Sequence, residues 1–514
     1  MRYYLAVDIG TTNWKAAVYD ETGKLINIER TPTQTHTDDN GYSYYDPDDM
    51  WDAVCKLCRT VTAKTAVVIS GVSVTSIAEA VVAIDKNGKA IGKIITWYDT
   101  RSMQQAEELK KLFGSEKLYE ITGLDVNPIF SLSKILWVRE NRSDIYEKSY
   151  KWLQMADYIL FRLSGEFVTD YTLASRTLAF DVRKNEWSKE ILNKVNVPVS
   201  FFPQICESGT VIGEVSECIA NCTGITKGAK IVVGGNDHPC ASIAAGVLSG
   251  NKILDSSGTA ESFIYVSKKN AVPEMKFLGQ RTCRYLQKDR YALWGGIVSS
   301  GRSFDWGYET FTSSKVFGIE QSPYSYNDIL KHLFDVKGIE SGLIFYPHIR
   351  GAGAPYWNPK ISGSFLGIRD YHTSKHMLKA VIEGLSMQAK MIVSMEEKVA
   401  DTTADSLCVV GGSSNNRVWQ TIKASVLQKR LELCFEPEAT SLGAAMLASI
   451  GNGDYKDIEE VSGFLAQKNE IIEPDDQLVK IYAPWYEIYA EGYERLKEFN
   501  EKLYDRAHEQ KGEI

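Results

Sequence analysis

A turn near the start of the chain combines an acid, a glycine and two threonines at a spacing that suits phosphate and metal binding. Asp8 ends a short apolar run, residues 10–13 read Gly-Thr-Thr-Asn, and a second apolar run begins at Trp14. The two runs predict the strands of a β-hairpin. In its turn, Gly10 admits a ligand close to the backbone, N–H groups and hydroxyls donate to phosphate oxygens, and Asp8 can hold a hydrated Mg²⁺. An ordinary hairpin turn has the same pattern.

The same pattern recurs about half a chain later. Residues 253–264 place an apolar strand, the acid Asp255, a turn containing Gly258 and Thr259, and a second apolar strand in that order. Two such loops indicate two similar lobes. A polyphosphate held between the lobes would be contacted by both turns, which one domain with one loop cannot achieve.

A candidate general base follows another strand that ends in glycines. The strand spans residues 230–235, and Asp237 and His238 come directly after it. A carboxylate at the tip of a strand, with glycines leaving space for substrate, can accept the proton of an attacking hydroxyl during phosphoryl transfer. The alternative is that Asp237 caps a helix, because Asp followed by His-Pro is typical of a helix start. Capping and catalysis are compatible.

An aromatic, an acid and a cation lie close together after a strand in the first half of the chain. Trp97, Asp99 and Arg101 are separated by one residue each. Such a cluster suits a sugar, because charged groups bind hydroxyls and an indole packs on the apolar face of the ring or chain. The alternative is an Asp/Arg helix cap beside a core tryptophan.

Two glycine-bearing strand ends in the second half are further candidates for nucleotide contact. Gly301 follows one strand, and it predicts either a phosphate contact or a point of tight packing. Gly411 and Gly412 end another buried strand, and Asn416 lies where an amphipathic helix begins. The second arrangement fits a nucleoside lying across a helix N-terminus.

The chain is long enough for more than one hydrophobic core. Its 514 residues predict two domains, each of roughly 200–250 residues. We place an N-terminal domain at residues 1–249, with a mainly helical insertion at about 103–225, and a C-terminal domain at residues 250–514 that ends in a long helix. Strand and helix patterns alternate along the chain, which predicts an α/β protein with mixed sheets.

The charge of the chain argues against one class of partner. A net charge of −8 and a pI near 5.6 disfavour nucleic acid, since phosphate backbones are bound by clustered Lys and Arg. An acidic protein can still bind ATP when backbone N–H groups, a metal and a few cations neutralise the phosphates locally.

Hydropathy and cysteine usage predict a cytoplasmic protein without a membrane partner. No apolar run approaches the ~18 residues needed to span a bilayer, and the N-terminus lacks the pattern of a signal peptide. The nine cysteines are scattered. Cys55 and Cys58, and likewise Cys218 and Cys222, suggest a metal, but no Cys or His pair at ligand spacing accompanies either. We expect reduced thiols.

Taken together, these motifs resemble the FGGY carbohydrate kinases, from near residue 3 to about 450. Residues 363–368, with residues 376–383 after them, look like the C-terminal signature of that family. Lys134 and Trp137, followed by Glu140 and Asn141, look like its N-terminal signature, although Ile129 departs from the usual residue at the start.

The resemblance implies two ribonuclease-H-like domains of the actin/hexokinase type, with mixed five-stranded sheets flanked by helices and a cleft between them. It implies Mg²⁺-ATP on the second domain and a sugar or polyol on the first. Asp237 would be the base and Asp8 the metal-side carboxylate. The implied phosphate contacts are Thr11, Thr12, Lys15, Gly258 and Thr259, and Gly10, Asn13, Gly301 and Gly411 join them as candidates from the loop patterns. Gly412 and Asn416 would contact the nucleoside. The substrate side would include Glu79, Trp97, Asp99, Arg101, Asp237 and His238.

One departure from the family pattern concerns the substrate. After residues 71–73, the glycerol kinases and xylulokinases usually show a glutamine followed by Arg-Glu or Met-His, whereas this chain has Thr-Ser-Ile-Ala-Glu at 75–79. Glu79 would then replace the usual hydroxyl contact, one or two positions displaced. A ketopentose such as xylulose is favoured on family breadth, while gluconate and polyols stay open. The sequence also leaves the oligomeric state open, and a homodimer is one of the arrangements that it allows.

Two other functional classes compete with a sugar kinase. A nucleotide-driven chaperone or filament protein of the same superfamily carries a similar first loop, but it needs neither an acid after Gly-Gly nor a Trp-x-Asp-x-Arg cluster. A sugar-responsive binding protein without catalysis is disfavoured by Asp237 and by both phosphate loops. The chain lacks the Gly-x-x-x-x-Gly-Lys-Ser/Thr motif, which excludes a P-loop kinase.

Overall fold

The computed structural model describes residues 1–269, 280–312 and 332–509, in which strands and helices alternate. The strands are β1 (Tyr3–Ile9), β2 (Asn13–Asp20), β3 (Leu25–Pro32), β4 (His36–Thr37), β5 (Ser43–Tyr45), β6 (Ile69–Ser76), β7 (Val81–Ile84), β8 (Ala90–Ile95), β9 (Lys151–Gln154), β10 (Val168–Asp170), β11 (Phe180–Asp181), β12 (Glu186–Trp187), β13 (Gln204–Cys206), β14 (Val211–Glu214), β15 (Lys230–Asn236), β16 (Lys252–Ser257), β17 (Glu261–Ser267), β18 (Arg281–Arg284), β19 (Tyr291–Ile297), β20 (Ile344–Tyr346), β21 (Ser364–Leu366), β22 (Ser406–Val410), β23 (Arg430–Leu433) and β24 (Glu470–Ile472). The α-helices are α1 (Pro47–Thr65), α2 (Met103–Phe113), α3 (Ser115–Thr122), α4 (Ser131–Asn141), α5 (Ser143–Tyr146), α6 (Met155–Ser164), α7 (Tyr171–Ala174), α8 (Lys189–Lys194), α9 (Glu217–Thr223), α10 (Asp237–Ala245), α11 (Gly301–Thr312), α12 (Ser374–Ala400), α13 (Arg417–Leu427), α14 (Ala439–Asn452), α15 (Ile458–Ala466) and α16 (Asp476–Glu509).

The main sheet of the first half, meaning residues before 250, has six strands in the order β14-β15-β6-β1-β2-β3. The predicted hairpin is present, because β1 pairs antiparallel with β2. On its other side β1 runs parallel to β6, and β6 runs parallel to β15. The carboxyl ends of β1, β6 and β15 therefore lie at one edge of this sheet.

The second half repeats the arrangement with seven strands in the order β18-β19-β17-β16-β22-β23-β24. Here β16 pairs antiparallel with β17 and parallel with β22, which runs parallel to β23. The α/β class and the duplication are confirmed. The prediction of five-stranded sheets is wrong in number, because short edge strands extend a shared five-stranded arrangement: β14 in the first half, and β18 and β24 in the second.

The segment at 103–225 is less separate than a mainly helical insertion. It contains α2 to α9, but β14 extends the main sheet and β9 completes a further sheet in the order β4-β5-β8-β7-β9. These strands have four residues each, which is too short for a period-2 pattern to be distinguished from a loop.

All nine cysteines are free thiols. Cys55 Sγ and Cys222 Sγ lie 2.8 Å apart, where α1 packs on α9. Across the described ranges, no three side chains of the His, Cys, Asp or Glu type are grouped so that they could bind a metal. In the same ranges, each helix is too short or too polar to cross a bilayer.

The two halves are joined by a close crossing of α10 and α14, which places the end of β15 against the second half. Small residues line α14, and a side chain at Gly443 would overlap the carbonyl oxygen of Cys240. Tyr19 Oη, on β2, also lies 2.9 Å from Ser441 Oγ, so α14 packs on the sheet of the first half. The small residues of α14 therefore allow it to pack closely against both halves.

Gly443→Ala is expected to destabilise the protein by about 1–3 kcal/mol, because the added methyl group forces α10 and α14 apart. Chemical denaturation would measure the change. Gly463→Ala is the matched control: this glycine lies within α15 and has open space around its α-carbon, so alanine should stabilise the helix by about 0.5–1 kcal/mol. Equal effects of the two substitutions would contradict the close crossing.

Candidate active site

Asp8 and Asp237 are brought to the same edge of the first sheet. Asp8 pairs across the sheet with Thr75, and Thr75 pairs with Gly235. Since neighbouring strands are about 4.8 Å apart, the three residues form one row, and Asp237 follows two residues after it. Residues far apart in sequence thus place two carboxylates along one edge.

Asp237 is the first residue of α10, and Asn236 occupies the N-cap position. The alternative that Asp237 caps the helix is therefore wrong. Its side chain is half-buried, and Oδ1 accepts a hydrogen bond of 2.8 Å from the N–H of His238. A side chain at Gly234 would overlap the carbonyl oxygen of Val74. This glycine thus permits close packing of β15 on β6, rather than leaving space for substrate.

Asp8 is buried and faces charged groups from both halves. Lys15 Nζ lies 3.7 Å from Asp8 Oδ2 and 2.6 Å from Glu438 Oε2. Arg30 also contacts Glu438, at 3.4 Å. Burial raises the pKa of Asp8 to about 7; the charge of Lys15 opposes this shift, and the carboxylates of Asp237 and Glu438 add to it. Lys15, which sequence reasoning assigned to phosphate, is thus already paired with an acid of the second half.

This pKa predicts a pH-dependent metal requirement. Mg²⁺ prefers charged oxygen ligands, so we expect the Mg²⁺ concentration for half-maximal activity to fall as pH rises from about 6 to about 8. Asp8→Asn should weaken use of the metal and remove this dependence. Burial also shifts the pKa values of Lys134 and Glu383 to about 7. Because the parent and Asp8→Asn both contain these two residues, a difference between the two proteins reports on Asp8. Identical Mg²⁺ titrations of both proteins at both pH values would contradict the assignment.

The same shift has a consequence for folding. The pKa of Asp8 rises from 3.8 to about 7 in the folded protein, so the folded state holds this proton more tightly than the unfolded chain. The contribution of Asp8 to stability is present at low pH and is lost as pH rises through about 7.

In the first turn the threonine hydroxyls are available to a ligand, whereas the Gly10 N–H is not. Gly10 N–H donates to Asn13 O at 3.2 Å, which closes the turn, so this N–H is not free for phosphate. The side chains of Thr11 and Thr12 are exposed, and neither hydroxyl has a partner within the described part of the chain. Asn13 is the first residue of β2 and is partly buried.

The loops of the second half pack against one another at the end of its sheet. Gly301 N–H donates to Gly258 O at 3.1 Å, and Arg302 N–H donates to Thr259 O at 3.2 Å. A side chain at Gly411 would overlap the carbonyl oxygen of Ser257. Gly301 and Gly411 therefore hold the loops together, which supports the packing alternative for Gly301 and leaves the exposed Gly258 and Thr259 as the phosphate candidates.

The acids of the two loops are not equivalent. Asp255 corresponds to Asp8 in the repeat, but Lys423 Nζ contacts Asp255 at 2.7 Å and Glu261 at 2.6 Å, and all three side chains are fully buried. Asp255 is thus neutralised inside the second half and cannot act on a ligand. Of these two acids, Asp8 stays the candidate for the metal-side carboxylate.

The side-chain oxygen of Asn416 caps α13, whereas its side-chain nitrogen does not. Asn416 is the N-cap of α13, and its side-chain oxygen accepts a hydrogen bond of 3.1 Å from Trp419 N–H. Its side-chain nitrogen is buried without a partner in the described residues. Gly412, beside it, is exposed with open space around its α-carbon. Both residues stay candidates for nucleoside contact.

Contacts between the halves surround Asp237. Nδ1 of its neighbour His238 lies 2.9 Å from Ser256 Oγ on β16. The rings of His238 and Trp294, which lies on β19, are perpendicular, with 5.2 Å between their centroids. The end of β15 therefore faces the loops of the second half, which places Asp237 between the two sheets.

Glu79 is held by several contacts on the substrate side. It is buried, its N–H donates to Gln154 Oε1 at 2.8 Å, and its Oε1 accepts from Arg176 Nε at 2.6 Å. Lys134 Nζ donates to the carbonyl oxygens of Glu79 and Thr96 at 3.1 and 2.8 Å. Lys134 thereby joins the Glu79 loop to the loop that carries Trp97.

Asp99 and Arg101 form an ion pair with each other. Arg101 Nη2 donates to Asp99 Oδ2 at 2.8 Å, and Asp99 also accepts from Ser43 N–H at 3.0 Å. Burial alone would raise the pKa of Asp99, but these hydrogen bonds outweigh it and hold the pKa below its usual value. We therefore assign the pair to support of the loop rather than to direct sugar contact. Trp97 Nε1 is buried without a partner in the described residues, so Trp97 keeps its substrate assignment.

Four residues of this site were missed or left without a role. Lys134 was noted only as part of a signature, and no function was given to Arg176, Trp294 or Glu438. Each acts through a partner distant in sequence, and Arg176 lies 97 residues from Glu79. A basic residue in the turn after α7 carries no local signal of such pairing.

The residues present fit Mg²⁺ bound together with a nucleotide, although no protein cage exists in the described ranges. Such Mg²⁺ uses one or two carboxylates, with phosphates and water completing the shell. Asp8 offers one such carboxylate, and Asp237, along the same edge, offers a second.

Comparison with known proteins identifies the family. Residues 3–244 match the N-terminal domain of the FGGY family of carbohydrate kinases, and residues 255–451 match its C-terminal domain. The chain is 27% identical to the xylulose kinase of Bacillus subtilis (strain 168), over 98% of this chain and 99% of the relative. It is 27% identical to the gluconokinase of the same organism, over 90% of each. The fold superimposes on the crystal structure of ligand-bound xylulose kinase from Lactobacillus acidophilus with a TM-score of 0.89 and 23% identity, covering 98% of this chain and 100% of that one. The chain therefore belongs to the FGGY family of carbohydrate kinases, enzymes that transfer phosphate from ATP to an alcohol group of a sugar.

Proposed function

We propose that this kinase phosphorylates a small sugar or polyol, most simply a ketopentose such as xylulose, with Mg²⁺-ATP as donor. The observation that carries the proposal is that Asp8 and Asp237 lie at one sheet edge, and that His238, next to Asp237, contacts Ser256, two residues before the exposed Gly258 and Thr259. Residues 1–249 would bind the acceptor and residues 250–514 the nucleotide, in the cytoplasm.

In the proposed reaction Asp237 accepts the proton of the acceptor hydroxyl. The hydroxyl oxygen then bonds to the γ-phosphorus, and the bond from that phosphorus to the oxygen shared with the β-phosphate breaks. Mg²⁺-ATP supplies the phosphoryl group, with its charge partly neutralised by the metal. Asp8 would hold the Mg²⁺, which would neutralise phosphate charge, and the hydroxyls of Thr11, Thr12 and Thr259 would donate to phosphate oxygens. Closure of the two halves excludes water that would otherwise be phosphorylated.

A coupled assay of ADP release with a panel of ketoses, polyols and aldonates tests the proposal. We expect turnover with at least one ketopentose, well above the rate without acceptor. Preferred turnover of gluconate, which the similarity to a gluconokinase makes a candidate, would replace the proposed substrate and keep the kinase activity. Nucleotide hydrolysis that no acceptor stimulates would favour a nucleotide-driven protein of the same superfamily instead. Nucleotide and sugar binding without turnover would favour a sugar-responsive binding protein.

A further inference from the structure

We propose that Cys55 and Cys222 form a modification site, at which a small disulfide oxidant joins them in a reversible disulfide bond that stabilises the first half of the protein. The inference goes beyond the proposed function and does not depend on it, because the two thiols lie away from the reacting groups.

The two sulfur atoms come from helices that are far apart in the sequence. Cys55 lies on α1 and Cys222 lies on α9, and their Sγ atoms are 2.8 Å apart. The S–S distance of a disulfide is about 2.05 Å, so the two sulfurs need to approach by less than about 1 Å. The fold has therefore placed two free thiols within reach of a covalent bond.

Contacts outside the two thiols hold α1 against the end of α9. Arg59 Nη2 donates to Cys222 O at 2.5 Å. Gly224, the C-cap of α9, has a φ of 72°, and a side chain there would lie 3.2 Å from the α-carbon of Arg59. Just after α1, Ile69 N–H donates to Thr226 Oγ1 at 2.9 Å. Because these contacts limit the separation of the two helices, each thiol meets its partner at a high effective concentration, which favours the internal bond over a bond to another molecule.

The thiols differ in their access to an oxidant. Cys222 is partly exposed, whereas Cys55 is 6% exposed. Burial, together with the neighbouring thiols of Cys222 and Cys58, raises the pKa of Cys55, and the charge of Arg162 opposes this shift. Cys58 is fully buried, and burial raises its pKa to about 12. We therefore expect the oxidant to react first at Cys222, Cys55 to complete the bond, and Cys58 to stay a thiol.

The reaction balances with a disulfide as oxidant, such as glutathione disulfide. The Cys222 thiolate attacks one sulfur of the oxidant, which forms a mixed disulfide and releases a first thiolate. The Cys55 thiol then loses its proton and attacks Cys222 Sγ, which releases a second thiolate. The cysteine pair loses its electrons and protons to the oxidant, which is reduced to a pair of thiols. An excess of the reduced thiol reverses both steps.

The position of the bond predicts a gain in stability without a change in the reaction. A disulfide restricts the unfolded chain, and this effect grows with the length of the closed loop. Cys55 and Cys222 are 167 positions apart, so the loop is long. The bond would link α1, which packs on β2 and β3, to the helix that precedes the amino end of β15, whereas Asp237 follows the carboxyl end of that strand.

The first test uses the unmodified protein, incubated with glutathione disulfide and digested without a reductant for mass spectrometry. We expect a peptide pair that joins Cys55 to Cys222, with two of the nine thiols lost. The melting temperature should rise by at least about 5 °C, dithiothreitol should reverse the rise, and kcat should change by less than about twofold.

Three results of this test would overturn the inference. Glutathione attached to Cys222 or Cys218 without a linked peptide pair would show that the internal bond does not form. A link from Cys222 to Cys58 would reject Cys55 as the partner. A linked pair without a rise in melting temperature, or with a large loss of kcat, would reject the stabilising role.

The second test assigns the effect to these two cysteines. Cys55→Ser and Cys222→Ser should each abolish the linked pair and the rise in melting temperature on oxidation. Cys218→Ser is the matched control, because it removes an exposed cysteine from the same helix, and it should keep both effects. Cys222→Ser, at a partly exposed position, remains informative if Cys55→Ser does not fold. A rise that persists in Cys222→Ser, or that is lost in Cys218→Ser, would reject the proposed pair.

Discussion

Replacing Asp237 with asparagine is expected to lower kcat by about 10²- to 10⁴-fold and to leave the KM for ATP nearly unchanged. The amide keeps the shape of the side chain but cannot take the proton of the acceptor hydroxyl. Steady-state kinetics with the best acceptor of the panel would measure the effect. Because Asp237 lies at the helix start without capping it, the substitution should leave the melting temperature close to that of the parent.

The control for this prediction is Asp144→Asn, which removes an exposed aspartate on α5. It should behave like the parent in both kcat and KM. Near-normal turnover of Asp237→Asn would reject the assigned base, and a large rise in the KM for ATP would show that Asp237 acts mainly through the nucleotide.

Replacing Lys423 with methionine is expected to destabilise the protein by about 3–5 kcal/mol. The substitution removes the cation that faces both carboxylates, the one cation paired with them among the described residues, in a site closed to water. Burial raises the pKa of Asp255 well above its usual range, whereas the two acids together raise the pKa of Lys423 to about 12. The same change should impair activity, since Asp255 and Glu261 flank the Gly258 and Thr259 loop. Chemical denaturation and the KM for ATP are the measurements.

A compensated variant distinguishes charge from packing. Lys423→Met combined with Asp255→Asn and Glu261→Gln removes the whole charged group, and it should recover part of the lost stability because buried ion pairs are readily replaced by neutral residues. Lys502→Met serves as a surface control, since Lys502 is 72% exposed beside Glu498, and it should cost less than about 1 kcal/mol. A small effect of Lys423→Met alone would contradict the role of the buried charges.

The backbone plan of the site could be predicted from local sequence. An apolar run, an acid, a Gly-Thr turn and another apolar run specify a hairpin, and β1 and β2 form one around residues 10–13. The recurrence at Asp255 predicted the second sheet, and the glycines before Asp237 marked the end of β15. These signals succeed because strand periodicity and turn chemistry act between residues that are close in the chain.

The assignment of individual side chains was less successful, because it depends on partners distant in sequence. In the sequence Asp255 is equivalent to Asp8, but in the fold Lys423 lies beside Asp255. Lys15 was predicted to contact phosphate, but in the fold it is paired with Glu438. Sequence spacing does not report burial or pairing, and these two quantities decide whether a carboxylate is charged and available.

The sequence by itself determined an α/β chain built of two related halves, with an acid before each Gly-Thr turn and a further acid at the end of β15. Local hydrogen bonding and hydrophobic periodicity suffice for that. Only the tertiary structure decided that Asp8 and Asp237 share an edge, that Asp255 is neutralised, and that Arg176 and Trp294 meet beside Glu79. Those facts depend on strand order and on packing between the halves, where Coulomb interaction and desolvation act across space rather than along the chain.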